Sequence, residues 1–132
     1  MESISGYRQL GGAQKESGGI FLGNQRGSNL EVVDATVPEL GDKRGRYYFH
    51  RLSKSHQDKA DQLWERSGFT ITYLGEWHTH PEKIPKPSSQ DISEWKEKLT
   101  DYDYPLILMI IGQEKNWLGS FYLGEVKTLY LI

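Results

Sequence analysis

Apolar residues along this chain fall into two kinds of pattern. Short runs bounded by glycine or polar turn residues read as strands. These are residues 19–23 (Gly-Ile-Phe-Leu-Gly), the β-branched stretch 30–37, the aromatic stretch 46–50, the alternating stretch 69–77 and the continuous Leu106–Ile111. Residues 117–123 and 126–132 add two more strands around a Gly124-Glu125 turn. Residues 24–29, rich in Gly, Asn and Ser, are expected to fold the first two strands into a hairpin. Other stretches follow a helical period. Ser55–Arg66 puts Ala60, Leu63 and Trp64 on one face and is stopped by Ser67-Gly68. Residues 88–99 align Ile92, Trp95 and Leu99. Ile4, Tyr7 and Leu10 form a third stripe, ended by Gly11-Gly12. Residues 38–45 read as a loop. Residues 78–87, with Pro81, Pro85 and Pro87, read as an ordered loop. The sum is an α+β fold: one domain over residues 1–132, with a mixed sheet flanked by two to three helices.

Length and composition agree. The chain has 132 residues, enough for one compact domain, and 36% of them are apolar, enough for one sizeable core. Charged residues are mixed in sign and sum to −2, so nothing pulls the chain toward nucleic acid or an anionic membrane. The small basic groups (Lys83 with Lys86, and Lys43, Arg44, Arg46) read as solvated loop charge. The chain has no cysteine, which excludes disulfides, thiolate metal sites and cysteine nucleophiles. No stretch reaches the roughly 18 apolar residues of a membrane span, and the first residues lack a secretory pattern. A cytoplasmic protein is expected.

The chemistry concentrates between Trp77 and Asp91. His78 and His80 stand two apart at the end of an apolar strand, so an extended chain directs both imidazoles to one face. Neutral imidazole is a preferred zinc ligand. Asp91, at the edge of the following helix's apolar stripe, is the third candidate ligand, because a carboxylate leaning toward the buried side needs a partner. Two histidines and one carboxylate leave a fourth position open, the mark of a catalytic zinc site rather than a structural one. Such a site lowers the pKa of a bound water toward about 7 and readies it to attack a carbonyl. Ser88-Ser89-Gln90-Asp91 also fits a helix capping box, with Ser88 as N-cap. That fit accounts for the serine and the aspartate but not for the histidine pair. A base is also needed. Glu76, two before His78, and Glu16, just before the first strand, are both candidates, and spacing alone does not choose between them.

These residues resemble a known motif. His78-Thr79-His80-Pro81, seven residues, then Ser88-Ser89-Gln90-Asp91 is similar to the JAMM motif of JAB/MPN-domain metalloproteases. Upstream, Glu16-Ser17-Gly18-Gly19-Ile20-Phe21-Leu22-Gly23 resembles the context of that family's catalytic glutamate. The resemblance implies that His78, His80 and Asp91 bind Zn2+, that Glu16 is the general acid/base, and that Ser88 steadies the oxyanion. It covers nearly the whole chain. It extends through residues 46–51, the helix with His56-Gln57 and residues 73–82 to a bacterial branch found in integrative-element proteins and in CBASS antiphage operons, where the JAB protein is similar to deubiquitinases. The implied function is a zinc isopeptidase that frees the conjugated C-terminal tail of a ubiquitin-like or CD-NTase protein, with no nucleic acid or membrane partner. The family usually carries a strand ahead of its first helix, for which this chain has little room. Two rivals remain: a non-catalytic MPN-like scaffold, and a peptidase trimming the C-terminus of a small sulfur-carrier protein. An amidohydrolase barrel needs about 250 residues and a zinc deaminase needs cysteine ligands, so both are set aside.

Among the other residues, His50 reads as a strand-end histidine packed on tyrosines, and His56 as solvated on a polar helix face. Trp64 and Trp117 read as core. Trp77 and Trp95 read as core or as walls of the site.

Overall fold

The computed structural model describes residues 4–132. Its strands are β1 (Gly18–Arg26), β2 (Asn29–Ala35), β3 (Lys43–Gly45), β4 (Tyr48–His50), β5 (Thr72–Thr79), β6 (Leu106–Ile111), β7 (Asn116–Tyr122) and β8 (Glu125–Leu131). Its helices are α1 (Ser55–Arg66) and α2 (Ser89–Lys98), preceded by a single 3-10 turn at Ile4–Tyr7. Six strands form one mixed sheet in the order β2-β1-β5-β6-β7-β8, and β3 pairs with β4 apart from it. The expected α+β class, mixed sheet and helices are therefore present.

The centre of the sheet is β6, whose Leu-Ile-Leu-Met-Ile-Ile sequence is apolar on both faces because both faces are covered. Leu106, Leu108 and Ile110 join Trp95, Leu99, Trp117 and Phe121 on one side. Ile111 joins Phe21, Ala35, Leu74 and Trp77 on the other, with Ile107 and Met109 packed against them. β5 lies parallel to β6, and α2 belongs to the crossover between them. That topology brings the end of β5 and the start of α2 together.

β5 does not alternate cleanly. Its pairing with β1 steps from Phe21↔Gly75 to Leu22↔Tyr73, leaving Leu74 as an extra residue. Gly75 takes φ +146°, and a Cβ there would stand 1.7 Å from the Ile107 carbonyl oxygen, so only glycine fits. Beyond the bulge, Trp77 shares a core with Leu74 although they are three residues apart. Glu76 and His78 are thereby turned toward α2.

Several sequence expectations need correction. The first stripe ends at Tyr7, since Leu10 is 69% exposed while Gln9 is fully buried. Part of the expected 38–45 loop is strand β3. The first hairpin is longer than expected, with only Gly27 and Ser28 outside its strands. The last turn falls at Leu123-Gly124, both left-handed, one residue earlier than read. His56 is not solvated: it is 3% exposed and bonded at both ring nitrogens, because the buried stripe of α1 runs through His56, Ala60 and Leu63. Trp64 lies off that stripe, stays 42% exposed and packs on Phe69. Trp117 is core, and His50 packs on Tyr48, as expected.

Candidate metal centre

The two histidines are held by what lies between and beside them. Thr79 points to the opposite face and is fully buried. Its hydroxyl donates to Gln9 Oε1 (2.7 Å) and accepts from the Ser17 backbone N–H (3.0 Å). The His80 N–H donates to the Ile111 carbonyl (3.0 Å), which ties the chain to β6 past the end of β5. His78 and His80 then bring their Nε2 atoms to 3.1 Å from each other.

Asp91 arrives from the first turn of α2. The capping box is real: Ser88 Oγ accepts from the Asp91 N–H (3.0 Å), and Asp91 Oδ2 accepts from the Ser88 N–H (2.9 Å). The same carboxylate faces the histidines, with Oδ1 3.3 Å from His78 Nε2 and Oδ2 3.1 Å from His80 Nε2. The cap and the metal geometry are thus satisfied together. Ligands bonded to one tetrahedral zinc at about 2.0–2.1 Å stand roughly 3.3–3.4 Å apart. The three donor groups here are spaced close to that, so His78, His80 and Asp91 fit a zinc ion in both chemistry and separation.

Glu82, two residues past His80, bonds His80 Nδ1 at 2.7 Å. A carboxylate there places the proton on Nδ1 and leaves Nε2 to face a metal. In the metal-free protein, burial opposes charge on His80, but hydrogen bonds and charge from Asp91, with Glu82 adding, raise its pKa. Burial likewise opposes charge on Asp91, yet its bonds to His78 and His80 hold it far below the usual carboxylate range. Protons and a cation therefore compete for the same cluster.

A cavity of about 810 Å3 opens over these residues, walled by Glu16, Phe49, His50, Glu76, Trp77 and Ser88 among others. Glu16 is 5% exposed. Its backbone is clipped to β3, its N–H donating to Gly45 O (2.6 Å) and its carbonyl accepting from Arg44 Nε (2.8 Å). The glycines that follow serve close packing. A Cβ on Gly18, which pairs with His78, would stand 2.7 Å from the Phe49 ring, and one on Gly19 would meet Thr36 O at 2.0 Å. Burial pushes the Glu16 carboxyl up to about 7; His78 and His80 pull it down, and Asp91 and Glu82 add to the rise. Glu76, the other candidate base, is engaged elsewhere: Oε2 pairs with Arg51 (2.9 Å) and Oε1 accepts from Trp95 Nε1 (2.8 Å).

The sequence reading missed Glu82, Gln9 and Arg44. Glu82 carried a signal, since it continues the i, i+2 series of the histidines. Gln9 and Arg44 carried none, because each acts across long stretches of chain.

A mixed sheet whose strand β5 runs into a His-x-His pair, met by a capped aspartate, defines an α+β domain with a His-His-Asp cluster that could hold a metal ion. The chain belongs to the prokaryotic homologs of the JAB domain, whose family description matches residues 7–123. It is 42% identical over 114 residues to a CD-NTase/cGAS isopeptidase of Vibrio cholerae, covering 86% of this chain and 72% of that protein. It is 36% identical over 126 residues to the protein of the same name from Escherichia coli, covering 96% and 80%. A probable metalloprotease of Sinorhizobium fredii is 26% identical over 123 residues, covering 89% and 75%. The fold is similar to the solution structure of a Desulfitobacterium hafniense protein, with a TM-score of 0.54 and 18% identity over 86% of this chain and 75% of that one. No helix among the described residues is long and apolar enough to cross a membrane.

Proposed function

We propose that this chain is a zinc-dependent peptidase that hydrolyses the amide or isopeptide bond joining the C-terminal tail of a CD-NTase-type or ubiquitin-like protein to its target. The observation that carries this reading is the approach of the His78, His80 and Asp91 donor atoms to 3.1–3.3 Å of one another on the wall of a cavity shared with Glu16 and Ser88. The names borne by the Vibrio cholerae and Escherichia coli relatives favour the CD-NTase-type tail. On this reading the protein works in the cytoplasm, as the deconjugating member of an antiphage operon.

A zinc ion held by the three ligands would supply Lewis acidity, acidifying the attacking water and polarising the scissile carbonyl. Glu16 takes the proton that water gives up and returns it to the leaving amine, so the carboxylate ends the cycle as it began. Burial raises the Glu16 carboxyl to about 7 without the metal, and burial is one means of tuning a carboxylate for proton transfer. Ser88 Oγ accepts from Asp91 N–H, which leaves its own proton free to donate to the carbonyl oxygen as negative charge develops there. Glu82 keeps the His80 ring oriented throughout.

The test is incubation of the zinc-loaded protein with a CD-NTase conjugate, with and without chelator, read by mass spectrometry. Cleavage at the tail that stops with chelator is expected. A conjugate intact in both tubes would leave the chain as a binding scaffold.

A further inference from the structure

We propose that Glu76 is a positioning residue: by joining Trp95 it sets the distance between the strand that carries the histidines and the helix that carries Asp91. The proposal rests on the zinc reading above. The three ligands come from two elements, the end of β5 and the start of α2. Between them runs the long loop that begins at Pro81, so chain connectivity does not fix one against the other. Glu76 lies two residues before His78 on the same face of β5. Trp95 lies one helical turn after Asp91, on the same side of α2. The Glu76 Oε1 to Trp95 Nε1 bond, 2.8 Å long, therefore spans the two elements one step behind the ligands on each side.

Both ends of this bond are rigid. Trp95 is 3% exposed and stacks on Trp117, with ring centroids 5.9 Å apart and planes 10° from parallel. The ring of His78 lies 6.2 Å from that of Trp95, so a shift of the indole is felt directly at a ligand. Glu76 is braced through its second oxygen by Arg51 at 2.9 Å, the residue that follows β4. Packing alone does not call for this arrangement. The bonds of Glu76 are only partly shielded from solvent, so their net contribution to stability is modest, whereas their direction and length are specified. Here it ties together the two elements whose separation a metal site must hold to a few tenths of an ångström.

The experiment measures zinc affinity by chelator competition, normalised to folded protein, beside the melting temperature of the metal-free full chain. The proteins are wild type, Glu76→Ala, Glu76→Gln, Trp95→Phe and the Glu76→Ala/Trp95→Phe double variant. Glu76→Ala and Trp95→Phe are each expected to weaken zinc binding by about 10–100-fold, the range for groups that orient ligands. The double variant is expected to be no weaker than the worse single, because one bond is removed in all three. Glu76→Gln keeps an acceptor for Trp95 and stays close to wild type. A purely structural Glu76 would lower the melting temperature and leave the affinity of the folded protein unchanged, which overturns the proposal, as would additive losses. A wild type that binds no zinc would instead bring down the functional reading on which the proposal stands.

Discussion

Asp91 and Ser88 grip each other at the start of α2, the carboxylate accepting the serine N–H at 2.9 Å and the serine Oγ accepting the aspartate N–H at 3.0 Å. The same carboxylate lies 3.3 Å from His78 and 3.1 Å from His80, so helix stability and the proposed metal binding draw on one side chain. Two substitutions separate them. Asp91→Asn keeps an acceptor for the Ser88 N–H but removes the anionic ligand. It should hold the helix and lose most of its zinc. Asp91→Ala should lose zinc and, in addition, about 1 kcal/mol of stability. Metal analysis together with chemical denaturation reads both. Unchanged zinc in the two variants would remove Asp91 from the ligand set.

Glu16, the proposed base, couples its proposed role to stability in the opposite direction. Its carboxyl, ordinarily near 4.5, titrates at about 7 in the metal-free fold because it is buried. A carboxyl raised in this way contributes fully below its unfolded value and loses that contribution as pH rises through the folded value. That rise corresponds to about 3 kcal/mol. Metal-free Glu16→Gln should therefore be more stable than wild type by up to about 3 kcal/mol at pH 8 and nearly equal to it at about pH 4. With zinc restored, it should bind the metal and fail to turn over. Urea melts at the two pH values check the first part and an activity assay the second. A variant with full rate would show that Glu16 is not the base.

Ser88 combines a cap with a proposed hydrogen bond to the oxyanion, and these too can be told apart. Ser88→Ala should cost about 1 kcal/mol of stability and about 100-fold or more in kcat. Ser88→Asp restores an N-cap acceptor without a hydroxyl donor. Its stability should recover while its kcat does not. Recovery of both would assign Ser88 to the cap alone.

What could be read from the sequence was local. The two imidazoles at i and i+2, the S-x-x-D box at the next helix start and the apolar run of β6 each depend on residues close in the chain. His56 was misread because the helical period of α1 says nothing of what packs on its first turn. Its partners there are Thr36 at Nδ1 and Asp42 at Nε2, and neither residue leaves a mark in the helix itself. The Leu74 bulge was hidden for a related reason. Residues 69–77 alternate well enough to pass for a plain strand, and the extra residue shows only when β5 is laid against β1. Gln9 and Thr79, bonded at 2.7 Å, are 70 residues apart, beyond the reach of any periodicity.

The Asp42–His56 pair predicts an acid limit to stability. His56 Nε2 meets Asp42 Oδ2 at 2.7 Å, and the Asp42 carboxylate also accepts the N–H groups of Glu39, Leu52 and Ser53. Burial would raise the Asp42 pKa, but these bonds, that from His56 foremost, hold it below the ordinary 3.8. Its contribution is therefore complete above the unfolded value and lost as pH falls through the lower folded value. Asp42→Ala leaves several donors without an acceptor and should cost about 2–4 kcal/mol at neutral pH. The advantage of wild type over Asp42→Asn should shrink as pH drops below about 4. Denaturation curves across that range test it, and an advantage independent of pH would mean that the charge of Asp42 contributes nothing.

Gly75 offers the most direct link between backbone and site. At φ +146°, with a Cβ position 1.7 Å from Ile107 O, even alanine must push β5 off β6 within the parallel pair at the centre of the sheet. Glu76 follows immediately and His78 stands three residues on, so the displacement runs straight into the proposed metal cluster. Gly75→Ala should lower stability by about 3 kcal/mol or more, a drop in melting temperature of roughly 10 °C or more. Its zinc affinity should fall as well. Gly12, with nothing within 4 Å of its Cβ position, is the control: Gly12→Ala should melt with wild type. Thermal melts of the two variants decide the matter. A Gly75→Ala protein as stable as the control would mean that β5 can deliver His78 to Asp91 without its bulge.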